Sequence, residues 1–247
     1  MKKTGFIYIL GILFLSVAVF TSCQKQVTPE LTLSFSTVTT PFNLAAQKSV
    51  GQIAFTSGSI ILEKAKFEAK SDQDDSLNTE FKFQGMVTID YATGQTTPDI
   101  GYVEIPAGTY KKIKVKLKLL DDDNTPSIQL NGTYTNPDGK TIPVKFIYSD
   151  GGEFELEQEG NISFDNNQSF LAQIEIDPSL WFKDVTDEMM ANATVDSNGV
   201  IVISKDQNKD IYDAIDDDFQ FAKQMNCREN DHEGDNDHDN DNDHDNG

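Results

Sequence analysis

The sequence predicts a mainly β protein built as an antiparallel sandwich, and three observations carry that prediction. Residues 112–119 alternate strictly, Lys112, Lys114, Lys116 and Lys118 against Ile113, Val115, Leu117 and Leu119, so a period of two puts aliphatics on one face and ammonium groups on the other. Comparable patterns recur at 31–35, 60–67, 81–91, 154–156, 162–164, 172–176 and 200–203, giving about ten strand signals broken by Gly, Pro, Asn and Asp clusters. Helical spacing appears only late, after residue 183. A chain of 247 residues, 37% hydrophobic with 16 Phe, is long enough for one large β domain or two small ones and can fill a core.

The first element is an address. Lys2 and Lys3 precede a mostly apolar run at 6–20, the layout of a secretory signal and short for a spanning helix. Its end, Phe20-Thr21-Ser22-Cys23, resembles the lipobox of bacterial lipoproteins, with Phe20 where Leu is usual. The resemblance implies removal of residues 1–22 and a mature chain that starts at a lipidated Cys23, whose two or three acyl chains give stable membrane anchoring. Residues 23–30 then form a tether. The Thr-Ser-Cys-Gln-Lys start of a Phe-rich β chain is similar to outer-membrane lipoproteins of the Bacteroidota. Gln24 does not match an inner-membrane retention signal, and no acidic cluster follows Cys23, so the resemblance implies the outer membrane, its periplasmic face ahead of the cell surface.

The second unit, 31–227, is the sandwich, with a candidate division into two packed subdomains near 120–127. No Gly/Ser/Pro-rich linker interrupts it, which favours one continuous unit. Asn136-Pro137-Asp138-Gly139 between two apolar runs is hairpin chemistry, and Pro143 suits the start or edge of its strand. Ile105-Pro106-Ala107-Gly108-Thr109-Tyr110 resembles the turn and strand found in prealbumin-like sandwiches and in lipoprotein domains of the DUF4382 kind. That resemblance implies an immunoglobulin- or transthyretin-like sandwich without assigned chemistry. Residues 184–191 can form one or two helical turns, and 208–224 is the stronger helix, with Ile211, Ile215, Phe219 and Ala222 on one face to cap the sandwich. Trp181 reads as a core anchor.

Composition removes several classes of function. With 20 Lys+Arg against 41 Asp+Glu the net charge is −21, which argues against nucleic acid as a partner. Lipidation of Cys23 leaves Cys227 alone, so no intramolecular disulfide is expected. No histidine precedes His232, which excludes a Ser/His/Asp or Cys/His catalytic set and a His-built metal site on the body. Carboxylates remain: Glu153, Glu155, Glu157 and Glu159 share one face of a strand, whereas a glycosidase needs two acids in a cleft with one desolvated. The runs Asp121-Asp122-Asp123, Asp216-Asp217-Asp218 and Asp72, Asp74, Asp75 carry oxygen donors that suit Ca²⁺.

Residues 228–247 hold nine acids and one Arg with no apolar side chain, so a disordered Asp/Asn/His-rich tail is expected. His232, His238 and His244, interleaved with Asp237 and Asp243, suit weak capture of Zn²⁺, while the oxygen atoms alone suit Ca²⁺. The leading expectation is therefore a non-catalytic binding or structural lipoprotein with no cofactor, meeting a protein or glycan partner while its lipid meets the membrane. A metal-buffering protein acting through the tail is the alternative. A glycan-binding module or a carbohydrate-active enzyme ranks below both.

Overall fold

The computed structural model describes residues 27–44, 51–216, 219 and 224–229. Its strands in chain order are β1 (Glu30–Thr37), β2 (Phe42–Asn43), β3 (Gln52–Lys70), β4 (Thr79–Asp90), β5 (Thr96–Thr97), β6 (Tyr102–Glu104), β7 (Gly108–Leu119), β8 (Ile128–Thr135), β9 (Thr141–Tyr148), β10 (Glu153–Phe164), β11 (Ser169–Ile176), β12 (Ile201–Ile203) and β13 (Gln224–Glu229). The helices are α1 (Asp187–Asn192) and α2 (Lys209–Asp216). None of the described helices is long and apolar enough to cross a membrane.

The strands form two open sheets. The smaller has the order β13-β11-β1-β6, and the larger runs β10-β7-β3-β8-β9-β12 with β2, β4 and β5 attached. Period two does what the sequence requires: Ile113, Val115, Leu117 and Leu119 on β7 are fully buried, as are Ala172, Ile174 and Ile176 on β11. Together they belong to one continuous apolar core between the sheets. The mainly β sandwich expected from the alternation is what the chain builds. Two pairings are parallel, β1 with β11 and β12 with β9, where a wholly antiparallel fold was expected. Long connections separate both pairs in sequence, and such crossovers permit parallel partners that short hairpins forbid.

β3 organises the larger sheet. Its first half pairs with β8 through Ile60↔Ile128 and its second half with β7 from Leu62↔Leu119 onward, so β7 and β8 lie end to end along one edge. β4 occupies the opposite edge from Ser59 to Ala69. The step from β7 to β8 is the segment 120–127, held to β3 by Leu120 N–H to Ile61 O at 2.9 Å and Ile61 N–H to Ser127 O at 2.7 Å. Both halves of the sheet thus share one strand. Gly58 sits in this crossing with φ of 141°, where an added Cβ would lie 2.1 Å from the Gln129 carbonyl oxygen.

The hairpin chemistry is realised. Gly139 takes φ of 82° and donates to Asn136 O at 2.9 Å, closing the turn between β8 and β9. Pro143 faces β8, while β12 covers only Val144 to Phe146, so its missing N–H falls on an unpaired edge. In the Ile105–Tyr110 segment, the Tyr110 hydroxyl donates back to Pro106 O at 2.7 Å and packs edge-on against Phe164.

The C-terminal elements correct the sequence reading. The helix expected over 208–224 covers Lys209–Asp216, and Gln224–Glu229 is a strand antiparallel to β11. In the sequence Asp216, Asp217 and Asp218 follow Ile215, a run of negative charge that the macrodipole disfavours at the end of a helix. Beyond them Met225 is buried and Cys227 half-buried, a two-residue period that suits the open edge of β11. Arg228 and Glu229, expected in a disordered tail, belong to this strand. α2 does cap the core as anticipated, through Ile211, Tyr212 and Ile215.

Candidate functional site

The glutamate row lies on β10 opposite the lysine row of β7, in the register Glu153↔Lys118, Glu155↔Lys116, Glu157↔Lys114 and Glu159↔Lys112. Lys112 reaches Glu157 at 2.6 Å and Glu159 at 2.9 Å, Lys116 reaches Glu155 at 2.9 Å, and Lys114 bridges Glu155 and Glu157. The lattice continues across the sheet. Lys118 meets Glu63 on β3 at 3.1 Å, and Lys66 joins Glu68 on its own strand and Glu80 on β4. Hydrogen bonds from Lys114 and then Lys116 hold Glu155 down at about 2, and those from Lys82 and Lys66 do the same for Glu80. Lys112 lowers Glu157 in turn. A catalytic acid needs the opposite shift, upward through desolvation. Ion pairs along and across the sheet thus favour the ionised form of Glu155, Glu157 and Glu80.

The Asp-rich loops bind their own backbone. Asp74 accepts from Ser76 N at 2.9 Å, and Asp122 from Asn124 N at 2.7 Å and Thr125 N at 3.1 Å, so each closes a local turn. Asp216 accepts the Tyr148 hydroxyl at 2.8 Å, while Asp150 takes the Tyr212 hydroxyl and the Lys205 ammonium. Burial, followed by these carboxylate partners, pushes the Tyr148 and Tyr212 hydroxyls above the ordinary phenol range, so both stay protonated donors. Among the described residues no group of three His, Cys, Asp or Glu side chains is arranged to hold a metal ion. Asp217 and Asp218 lie outside the described residues, as do Cys23, His232, Asp237, His238, Asp243 and His244.

Two other sequence candidates are structural. Trp181 is 1% exposed, with ring centroids of Phe219 at 5.2 Å and Phe146 at 6.0 Å, which makes it the core anchor it resembles in sequence. Burial pushes the Cys227 thiol up to about 12, so it carries almost no thiolate at neutral pH. Of the described tyrosines Tyr102 is exposed and Tyr91, Tyr110, Tyr134, Tyr148 and Tyr212 are buried, so the described residues display no row of tyrosines for a glycan.

The feature that alternation alone did not reveal is an open side of the sandwich. An apolar groove with a volume of about 30 Å³ runs between β4 and β6, lined by Leu31, Leu33, Phe67, Phe81, Phe83 and Tyr102 among others. Phe81 and Phe83 point to the inner face of the larger sheet, but β6 is three residues long and does not cover them. Phe81 is 37% exposed and Tyr102 54%. The available signal was Phe81-Lys82-Phe83 at the start of a strand with no apolar run of equal length to face it.

No family model matches the chain, and no curated protein matches it. Among solved structures, MbnP from Methylosinus trichosporium aligns over 64% of this chain and 78% of its own at 9% identity, with a TM-score of 0.33, a likeness too low to support an argument about function.

Proposed function

We propose that this protein is a non-catalytic binding or structural module of the outer membrane, resembling the lipoproteins of the Bacteroidota and anchored by lipid on Cys23. The observation that supports this most directly is the ion-pair lattice on β10, β7, β3 and β4. It pairs Glu155, Glu157 and Glu159 of the β10 row with lysines of β7, and Glu80 with Lys66. The ends of the chain fit the same reading. Glu30 lies beside Ser169 and Glu229 beside Phe170, so the tether enters and the tail leaves at one end of the smaller sheet.

Fractionation of cells carrying the wild type or Cys23→Ser tests the anchor. The wild type should sediment with membranes and enter the detergent phase, and Cys23→Ser should be released with an unchanged melting temperature. Equal release of both proteins would contradict the reading. The metal-buffering alternative is separable because β13 ends at Glu229, so a truncation that preserves the sheet removes only residues 230–247. Zn²⁺ or Ca²⁺ binding lost with those residues, on an intact fold, would favour metal handling through His232, His238 and His244.

A further inference from the structure

β4 has one edge covered by β3 and the other covered by β5 only at Thr88 and Ile89. From Thr79 to Val87 its outer edge is unpaired among the described residues. A free edge is a template for another strand, and charged side chains along it decide which strand fits. The edge here reads Thr79-Glu80-Phe81-Lys82-Phe83, with Phe81 and Phe83 on the groove side and Glu80 and Lys82 on the outer face beside Lys66. This pattern complements itself. In an antiparallel pairing about a two-fold axis at Phe81, Glu80 of each copy stands opposite Lys82 of the other, Thr79 opposite Phe83, and Phe81 opposite its own equivalent.

We propose that the open side of the sandwich is a homodimer interface in which β4 of one copy pairs antiparallel with β4 of a second copy, in the register that sets Glu80 against Lys82. Both larger sheets then join into one, and the two grooves face each other, so Phe81, Phe83 and Tyr102 of each copy are covered by those of its partner. Neither element does this alone: the backbone edge supplies the hydrogen bonds, the charges fix the register, and the phenylalanines supply the apolar contact. The register centred on Phe83 is excluded by the same reasoning, since it removes the Glu80–Lys82 match and sets Phe81 against Gly85.

The test uses the full chain carrying Cys23→Ser in detergent, which makes it independent of the lipid reading. Residues directly opposite in an antiparallel pair have Cα atoms about 4.5–5.5 Å apart, within disulfide reach. Phe81→Cys should therefore give a disulfide-linked dimer on mild oxidation. Phe83→Cys, whose opposite residue is Thr79, should form no disulfide-linked dimer, and neither should the parent with buried Cys227. In sedimentation equilibrium the parent should approach twice the monomer mass as concentration rises. Lys82→Glu should return it to monomer, and Glu80→Lys combined with Lys82→Glu should restore the dimer, with circular dichroism reporting an unchanged fold throughout. A parent that stays monomeric at high concentration would overturn the proposal and leave the groove to a different protein. Equal cross-linking of Phe81→Cys and Phe83→Cys, or a dimer indifferent to Lys82→Glu, would overturn it as well.

Discussion

Glu155 shows how a residue that looks catalytic in sequence becomes structural in the fold. Its neighbours two residues away on the strand are acids, but across the strand pair it faces Lys116 and Lys114, and these hold it near 2 against the ordinary 4.5. A depressed folded-state value stabilises the native protein above the unfolded value and ceases to do so as pH falls through the folded one. The melting temperature of the wild type should therefore drop between pH 4.5 and about 2 more steeply than that of Glu155→Gln, with the difference shrinking in 1 M salt, where the Debye length is about 3 Å. Because Glu155 is solvated, the effect at neutral pH is small. Two positions within the packed body carry larger effects. Trp181→Ala should cost about 3–5 kcal/mol, read as a lower urea midpoint, because the indole fills the space between Phe146 and Phe219. Gly58→Ala should cost about 1–3 kcal/mol, since its positive φ and the Gln129 oxygen both exclude a side chain.

Among elements, β7 and the β8–β9 hairpin were legible in sequence because their signals are local. Alternation fixes which face of β7 is buried, and Asn136 to Gly139 fix the turn. β13 was not legible. Met225 and Cys227 give only two apolar positions in a polar stretch, and the stronger four-residue spacing of Ile211 and Ile215 invites the helix to continue. What decides the matter is the open edge of β11, a partner more than 50 residues away that no local period reports. Removing residues 230–247 should accordingly leave thermal stability unchanged. Removing 224–247 strips β13 from the sheet and uncovers the side of β11 that Met225 packs on, and should cost about 2–4 kcal/mol by chemical denaturation. The groove was hidden for a similar reason: Phe81 and Phe83 read as an ordinary strand face, and only the three-residue length of β6 leaves them open.

At the scale of the whole molecule, the shared strand β3 sets the cooperativity. The β8-β9-β12 half and the β7-β10 half both pair with it, and the core that they cover is continuous. Calorimetry should therefore show one transition, with calorimetric and van't Hoff enthalpies in agreement, where two independent subdomains would give two. Composition had already directed attention away from nucleic acid, and the absence of histidine before His232 away from triads. It could not say whether the many acids were free to react, because that depends on cross-strand register. The claim that they are not is the centre of the functional proposal, and site-resolved NMR titration of the side-chain carboxylates tests it most directly. Glu155 and Glu80 should titrate near 2. One acid of the β10 row found protonated near neutral pH would contradict the account and reopen general acid catalysis on this sheet.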